Sequence, residues 1–290
     1  MSLVIPILIV IAAWWIGTGL VLYLQQRIER TPTALVLTLI CVSSVSLAMM
    51  IVGATGTQAW HSYLGFISAI CLWGCIELSY YTGLIGGVHT RPCPAGCDTA
   101  KRFRLALGTS IWHEISVLFV GGLVITLLFK AENPAGLYTF VVLWLMRWSA
   151  KLNLFFGVPN FNTDWFPARL AYAHSYIRRA TITAFFPVSV ILASVVATNL
   201  ISTALTQPAD QALMTMLPGV LLMLAILEHL FMALPIADNA LWDRIFTRDT
   251  EADEPVIAVP SPSEQEACTT DRVSTRSQAR VYDALNVDYL

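Results

Sequence analysis

Four sets of ionisable residues interrupt otherwise apolar stretches of this chain: Glu77, the adjacent pair His113 and Glu114, Arg147 with Lys151, and the adjacent pair Glu228 and His229. A charged side chain at membrane depth is costly, so such residues by default face one another, a cavity or a bound group. Carboxylate and imidazole together suit proton transfer or ligation of iron or manganese. A guanidinium or an ammonium suits the carboxylate of a ligand. Each position also has a plain structural reading. A single Glu or His near a helix end commonly snorkels or packs helices together. Arg147 and Lys151, spaced i,i+4, can simply neutralise Glu77 or Glu114.

The elements that must position these residues are membrane helices. Over 290 residues, 56% are hydrophobic and only 12% charged, and the mean hydropathy is +0.66, which places the chain among integral membrane proteins. Seven stretches reach the ~20 apolar residues a crossing needs: 3–24, 33–54, 62–88, 105–129, 136–156, 181–202 and 213–234. The first has no basic region before it, too long an apolar run and no small-residue cleavage site, so it reads as a mature helix rather than a signal peptide. The predicted fold class is therefore all-α, a polytopic bundle of seven transmembrane helices over 1–236, followed by a tail at 237–290.

The connections set the orientation. Arg27 and Arg30 follow the first span, Arg91, Lys101, Arg102 and Arg104 the third, and Arg169, Arg178 and Arg179 the fifth; the second and sixth connections carry no Lys or Arg, and Lys130 is the single exception. The positive-inside rule puts the N-terminus outside and the C-terminus in the cytoplasm. The buried charges then all fall about 7 to 11 residues from the cytoplasmic end of their spans, one level in the cytoplasmic half. Read from that side, both the fourth and the seventh spans present His before Glu, so the two pairs are expected to face one another.

Other features carry weaker signals. Tyr80 and Tyr81 share a face with Glu77 and either hydrogen-bond it or mark the interface. Trp73, Trp112, Trp144 and Trp148 fall at or beside the polar level, where they pack or line a cavity. Cys93 and Cys97 with His89 make an H-x3-C-x3-C arrangement, short of a full tetrahedral metal set. A structural disulfide is not expected in a loop assigned to the cytoplasm. The fifth connection mixes Trp165, Phe166, Tyr172, His174 and Tyr176 with three arginines; it belongs at headgroup level, as a lid over the polar cluster with His174 turned inward or as a surface connector. The tail holds eleven Asp or Glu against five Arg and reads as disordered. Walker, Rossmann and Gly-x-Ser-x-Gly patterns and any basic stripe for nucleic acid are missing from the sequence.

One string is more specific. Arg147-Trp148-Ser149-Ala150-Lys151-Leu152-Asn153-Leu154-Phe155-Phe156-Gly157-Val158-Pro159-Asn160, after Trp112-His113-Glu114 and before His174-Ser175-Tyr176, resembles the PuhE family, the photosynthetic complex assembly protein 2 group of phototrophic bacteria. The resemblance covers about residues 1–242 and leaves out the acidic tail. It implies a multi-pass protein of the cytoplasmic (inner) or intracytoplasmic photosynthetic membrane. The implied role is assembly of reaction-centre and light-harvesting complexes or control of bacteriochlorophyll supply, and the implied partners are those subunits or pigment-synthesis enzymes. It adds Asn153 to the candidate binding set of Glu77, His113, Glu114, Arg147, Lys151, Glu228 and His229. In that setting a bacteriochlorin is the expected ligand, with His113 or His229 as axial nitrogen and Arg147 or Lys151 on a carboxylate. Two other readings stay open. Glu77, His113, Glu114, Glu228 and His229 are candidate ligands for iron in an oxidoreductase acting on a pigment or quinone, although adjacent His-Glu pairs diverge by about 100° on a helix. Intramembrane Glu, His and Arg also suit a proton-coupled carrier, without the repeats such carriers show.

Overall fold

A computed structural model describes residues 4–28, 33–161 and 168–234. Among the described residues eight α-helices follow in order: α1 (Val4–Arg27), α2 (Thr33–Gly53), α3 (Ala59–Tyr81), α4 (Thr99–Gly108), α5 (Ile111–Leu128), α6 (Ala135–Phe156), α7 (Phe185–Thr206) and α8 (Ala209–Ala233), with a 3-10 segment at Ala168–Tyr176. Among the described residues α1, α2, α3, α5, α7 and α8 are long and apolar enough to cross a membrane. Helix α6 matches them in length, but Arg147 and Lys151 lower its apolarity. The acidic tail assigned to 237–290, Arg30, Trp165 and Phe166 lie outside the described residues.

Helix α3 is the hub, packed against α1, α2, α6 and α8, while α7 leans on α8. The close approach of α2, α3 and α6 depends on three residues without side chains. A Cβ on Gly53 would stand 2.7 Å from Gly65 N, and one on Gly136 would stand 3.1 Å from Gly65 O and 2.6 Å from Met50 Cγ. Small residues let membrane helices approach backbone to backbone, where dispersion replaces the hydrophobic effect that lipid cannot supply. Asn133 reinforces that end by donating to Gly56 O (3.1 Å) and Ser62 Oγ (2.8 Å). Phe66 and Phe140 fill the interior with no exposed surface. Leu8, Leu37, Phe119 and Ile191 project outward, an apolar exterior suited to lipid.

Two boundaries differ from the sequence reading. Helix α3 stops at Tyr81 rather than near residue 88, because Gly83 takes φ +74°, and the Gly83 and Ile85 N–H groups bond back to Tyr80 O (2.9 Å) and Ser79 O (3.0 Å). Residues 105–108 belong to α4, a short surface helix with no buried residue, started by Asp98 accepting from Lys101 N at 2.6 Å. Helix α5 begins only at Ile111, beyond the break at Ser110. The polar residues therefore lie nearer a helix end than counted from the sequence: Glu77 is four residues from the end of α3, and Glu114 is three from the start of α5.

Candidate functional site

Two ion pairs form the centre of the site, and α6 supplies the cation of each. Arg147 approaches Glu77 of α3 through two parallel bonds, Nε to Oε1 and Nη2 to Oε2, both 3.0 Å, and Nη2 also donates to Tyr81 Oη at 3.2 Å. One turn later Lys151 donates to Glu114 Oε1 of α5. Glu114 further accepts from Trp148 Nε1 at 2.7 Å and from Ser110 Oγ at 3.2 Å. Residues 147 and 151 share a face of α6 because 3.6 residues make a turn. That face lies between α3 and α5, so one helix neutralises a carboxylate on each side.

Tyr80 packs beside Lys151 and His113. Its ring lies 5.2 Å from Lys151 Nζ and 4.8 Å from the His113 ring. His113 has no exposed surface. Its Nε2 stands 3.9 Å from Glu77 Oε1, too far for a hydrogen bond, and neither ring nitrogen has a hydrogen-bond partner. The carboxylates are nearly sealed, each side chain 10% accessible, whereas Arg147 and Lys151 keep 25% and 26% of their side-chain surface accessible. The cluster is thus more enclosed on its acidic side than on its basic side.

The C-terminal part of α8 forms a second group, linked to the first through Glu228 and Arg147. His229 Nδ1 donates to Ala225 O (2.9 Å), since a carbonyl only accepts, and the neutral ring then accepts from Ser149 Oγ at Nε2 (2.9 Å). Asn153 donates to Ser149 O (3.0 Å) and Ser189 Oγ (3.2 Å), joining α6 to α7. Glu228 is exposed; it interacts with the Trp14 side chain and the charge of Arg147. The two His-Glu pairs do not face one another, because Glu114 is held by Lys151 and Trp148 while His229 engages Ser149. Asn153 takes no part in the ion pairs.

The metal reading meets a geometric obstacle. Among the described residues no three His, Cys, Asp or Glu side chains converge so as to hold an ion. Glu77 and Glu114 are directed onto Arg147 and Lys151, and His229 uses both nitrogens elsewhere.

The same end of the bundle is clamped by backbone carbonyls meeting side-chain donors. Arg102 of α4 donates to Phe155 O (2.8 Å) and lies 4.2 Å over the Phe155 ring. Arg169 donates to Thr82 O and Ile28 O, both at 2.5 Å, tying the 3-10 segment to the ends of α3 and α1. Asn160 Nδ2 donates to Phe231 O (3.0 Å) and Leu234 O (2.9 Å), closing the last turn of α8. Gly157 takes φ +136°, a backbone conformation open to glycine, and so leads the chain from α6 towards that contact. Nothing in spacing announces Arg102, Arg169 or Asn160 as clamps, because their acceptors are carbonyls, which every residue carries. Ser110, by contrast, stands at i,i+4 from Glu114, a spacing from which its bond to that carboxylate can be inferred.

These residues fall where the chain has kin. A family model described as "Protein of unknown function (DUF3623)" matches residues 1–253. The chain belongs to the DUF3623 family. An uncharacterized 30.4 kDa protein in the puhA 5′ region of Rhodobacter capsulatus is similar to it, 34% identical over 238 residues, covering 80% of this chain and 86% of that protein. No solved structure matches. The DUF3623 match spans every element described above, the ion pairs and the carbonyl clamps included.

Proposed function

We propose that this chain is a PuhE-type integral membrane factor for assembly of the bacterial photosynthetic complex, acting in the inner or intracytoplasmic photosynthetic membrane on reaction-centre or light-harvesting subunits or on the enzymes that supply their pigment. The observation that carries the reading is the likeness, over 80% of the chain, to a protein of the puhA 5′ region, a photosynthesis gene region. The sequence string from Arg147 to Asn160 supports it.

The topology goes with that reading. Helix α6, about 33 Å long at 1.5 Å per residue, is the seventh crossing; its two charges are tolerable because each is paired inside the bundle. The ends clamped by Arg102, Arg169 and Asn160 are those whose connections carry Arg27, Arg91, Lys101, Arg102, Arg104, Arg178 and Arg179, a charge bias that supports a cytoplasmic side there and an outer N-terminus.

The geometry narrows the part a bacteriochlorin can take. His113 is sealed against Tyr80 and His229 is bonded at both nitrogens, so neither histidine fits as an axial ligand to a chlorin magnesium. The accessible quarter of Arg147 and of Lys151, with exposed Glu228 interacting with the charge of Arg147, suits polar groups of a docking partner or a ligand carboxylate instead. This favours control of complex building and pigment supply over residence of pigment in the bundle.

Interrupting the gene in the bacterium that encodes it, followed by absorption spectroscopy of its membranes, tests the proposal. Reaction-centre and light-harvesting bands should fall several-fold and return with the full-length gene. Bands unchanged relative to the parent, at equal growth, refute it.

A further inference from the structure

The connection between α3 and α4 reads Cys93-Pro94-Ala95-Gly96-Cys97, and the polar cluster makes no use of it. Gly96 takes φ +70°, folding these five residues back on themselves, and Cys97 N–H donates to Pro94 O at 3.4 Å. The turn brings the two Sγ atoms to 2.7 Å, with both thiols free and half-buried. Both flanks of the turn are anchored. Cys93 N–H donates to Ser175 Oγ (2.7 Å), the Tyr176 hydroxyl donates to Arg91 O (2.9 Å), and Asp98 starts α4.

A third ligand is missing for metal chemistry. The His89 ring packs edge-on to Tyr176 at 6.2 Å, and no metal-holding group of three His, Cys, Asp or Glu occurs among the described residues. What remains is the chemistry of two sulfurs held in contact.

We propose that Cys93 and Cys97 are a reversible dithiol–disulfide pair that exchanges with small-molecule disulfides of the glutathione class. The thiolate of one cysteine attacks a sulfur of the oxidised disulfide, breaking its S–S bond and releasing one reduced thiol while a mixed disulfide forms. The second cysteine then attacks the protein-side sulfur of that mixed disulfide and releases the second reduced thiol. Both thiol protons end on the two released thiols; the protein pair is oxidised by two electrons and the small disulfide is reduced by two. Burial, with Cys97 alongside, holds the Cys93 thiol above the ordinary range, against the pull of Arg102 and Lys101.

The test uses the full-length protein in detergent, equilibrated with reduced and oxidised glutathione at stepped ratios, quenched with acid, alkylated and mapped by mass spectrometry. Cys93 and Cys97 should pass together from alkylated to internally linked in one transition, while Cys41, Cys71, Cys75 and Cys268 stay alkylated. The Cys93→Ser variant, checked for an unchanged gel-filtration profile, should instead hold Cys97 as a stable glutathione adduct. Both thiols remaining alkylated in oxidised glutathione alone overturns the proposal. So does an unlinked glutathione adduct accumulating in the wild-type protein.

Discussion

Removing the Arg147 side chain should harm this protein more than removing the charge it pairs with. Each of the two Arg147–Glu77 contacts is 3.0 Å long. At an effective permittivity of about 20 a pair of unit charges at that separation attracts by about 5.5 kcal/mol, most of which desolvation of the partners offsets. The asymmetry lies in what each single substitution leaves behind. Arg147→Met strands a carboxylate that is 10% accessible and has no other bonded cation, so the loss should be about 3 kcal/mol, the low end for breaking a buried pair. Glu77→Gln leaves a guanidinium that is 25% accessible and still bonded to Tyr81, so screening and solvation should hold the cost to about 1–2 kcal/mol. The double variant, with neither charge, should lie about 1 kcal/mol below wild type, which makes the coupling energy about 3–4 kcal/mol. Unfolding in mixed micelles, followed by the fluorescence of the nine tryptophans, measures all three. Equal losses for the two single variants, or strictly additive losses in the double, refute this reasoning.

Three further predictions rest on separate contacts. Trp148→Phe removes one of the donors to Glu114 but leaves Lys151, and should cost about 1–1.5 kcal/mol in the same unfolding assay, less than Lys151→Met. Asn160→Ala uncaps α8 at Phe231 and Leu234; amide exchange in the last turn of α8 should accelerate about tenfold, with α7 unchanged as the control. Gly53→Ala places a methyl group 2.7 Å from Gly65 N, and thermal unfolding should show a loss of about 1–3 kcal/mol from parting α2 and α3, whereas Gly122→Ala, where the space is open, should be neutral.

The existence of the helices and of a polar level within them was readable without coordinates, because apolar length and buried charge are local properties of sequence. The i,i+4 spacing of Arg147 and Lys151 likewise put both on one face. Partners were not readable. Glu114 and Glu77 stood as equal alternatives for either cation, and only the seating of α6 between α3 and α5 gives Arg147 to Glu77 and Lys151 to Glu114. The expected meeting of the two His-Glu pairs failed for the same reason, since adjacency along a helix says nothing about which neighbour each side chain turns toward. Helix ends were misplaced where Gly83 turns the chain at φ +74° and where the chain breaks at Ser110.

By itself the sequence determined an apolar all-helical chain, the residues too polar for its spans, and the kin it resembles. Tertiary structure decided that the acids are sealed and the bases accessible, that His229 is bound to Ser149, and that Cys93 and Cys97 touch. The division follows from range. Hydropathy and helical periodicity act over a few residues, whereas ion pairing, carbonyl clamping and close backbone approach join residues about 12 to 140 positions apart and exist only once helices have chosen their neighbours.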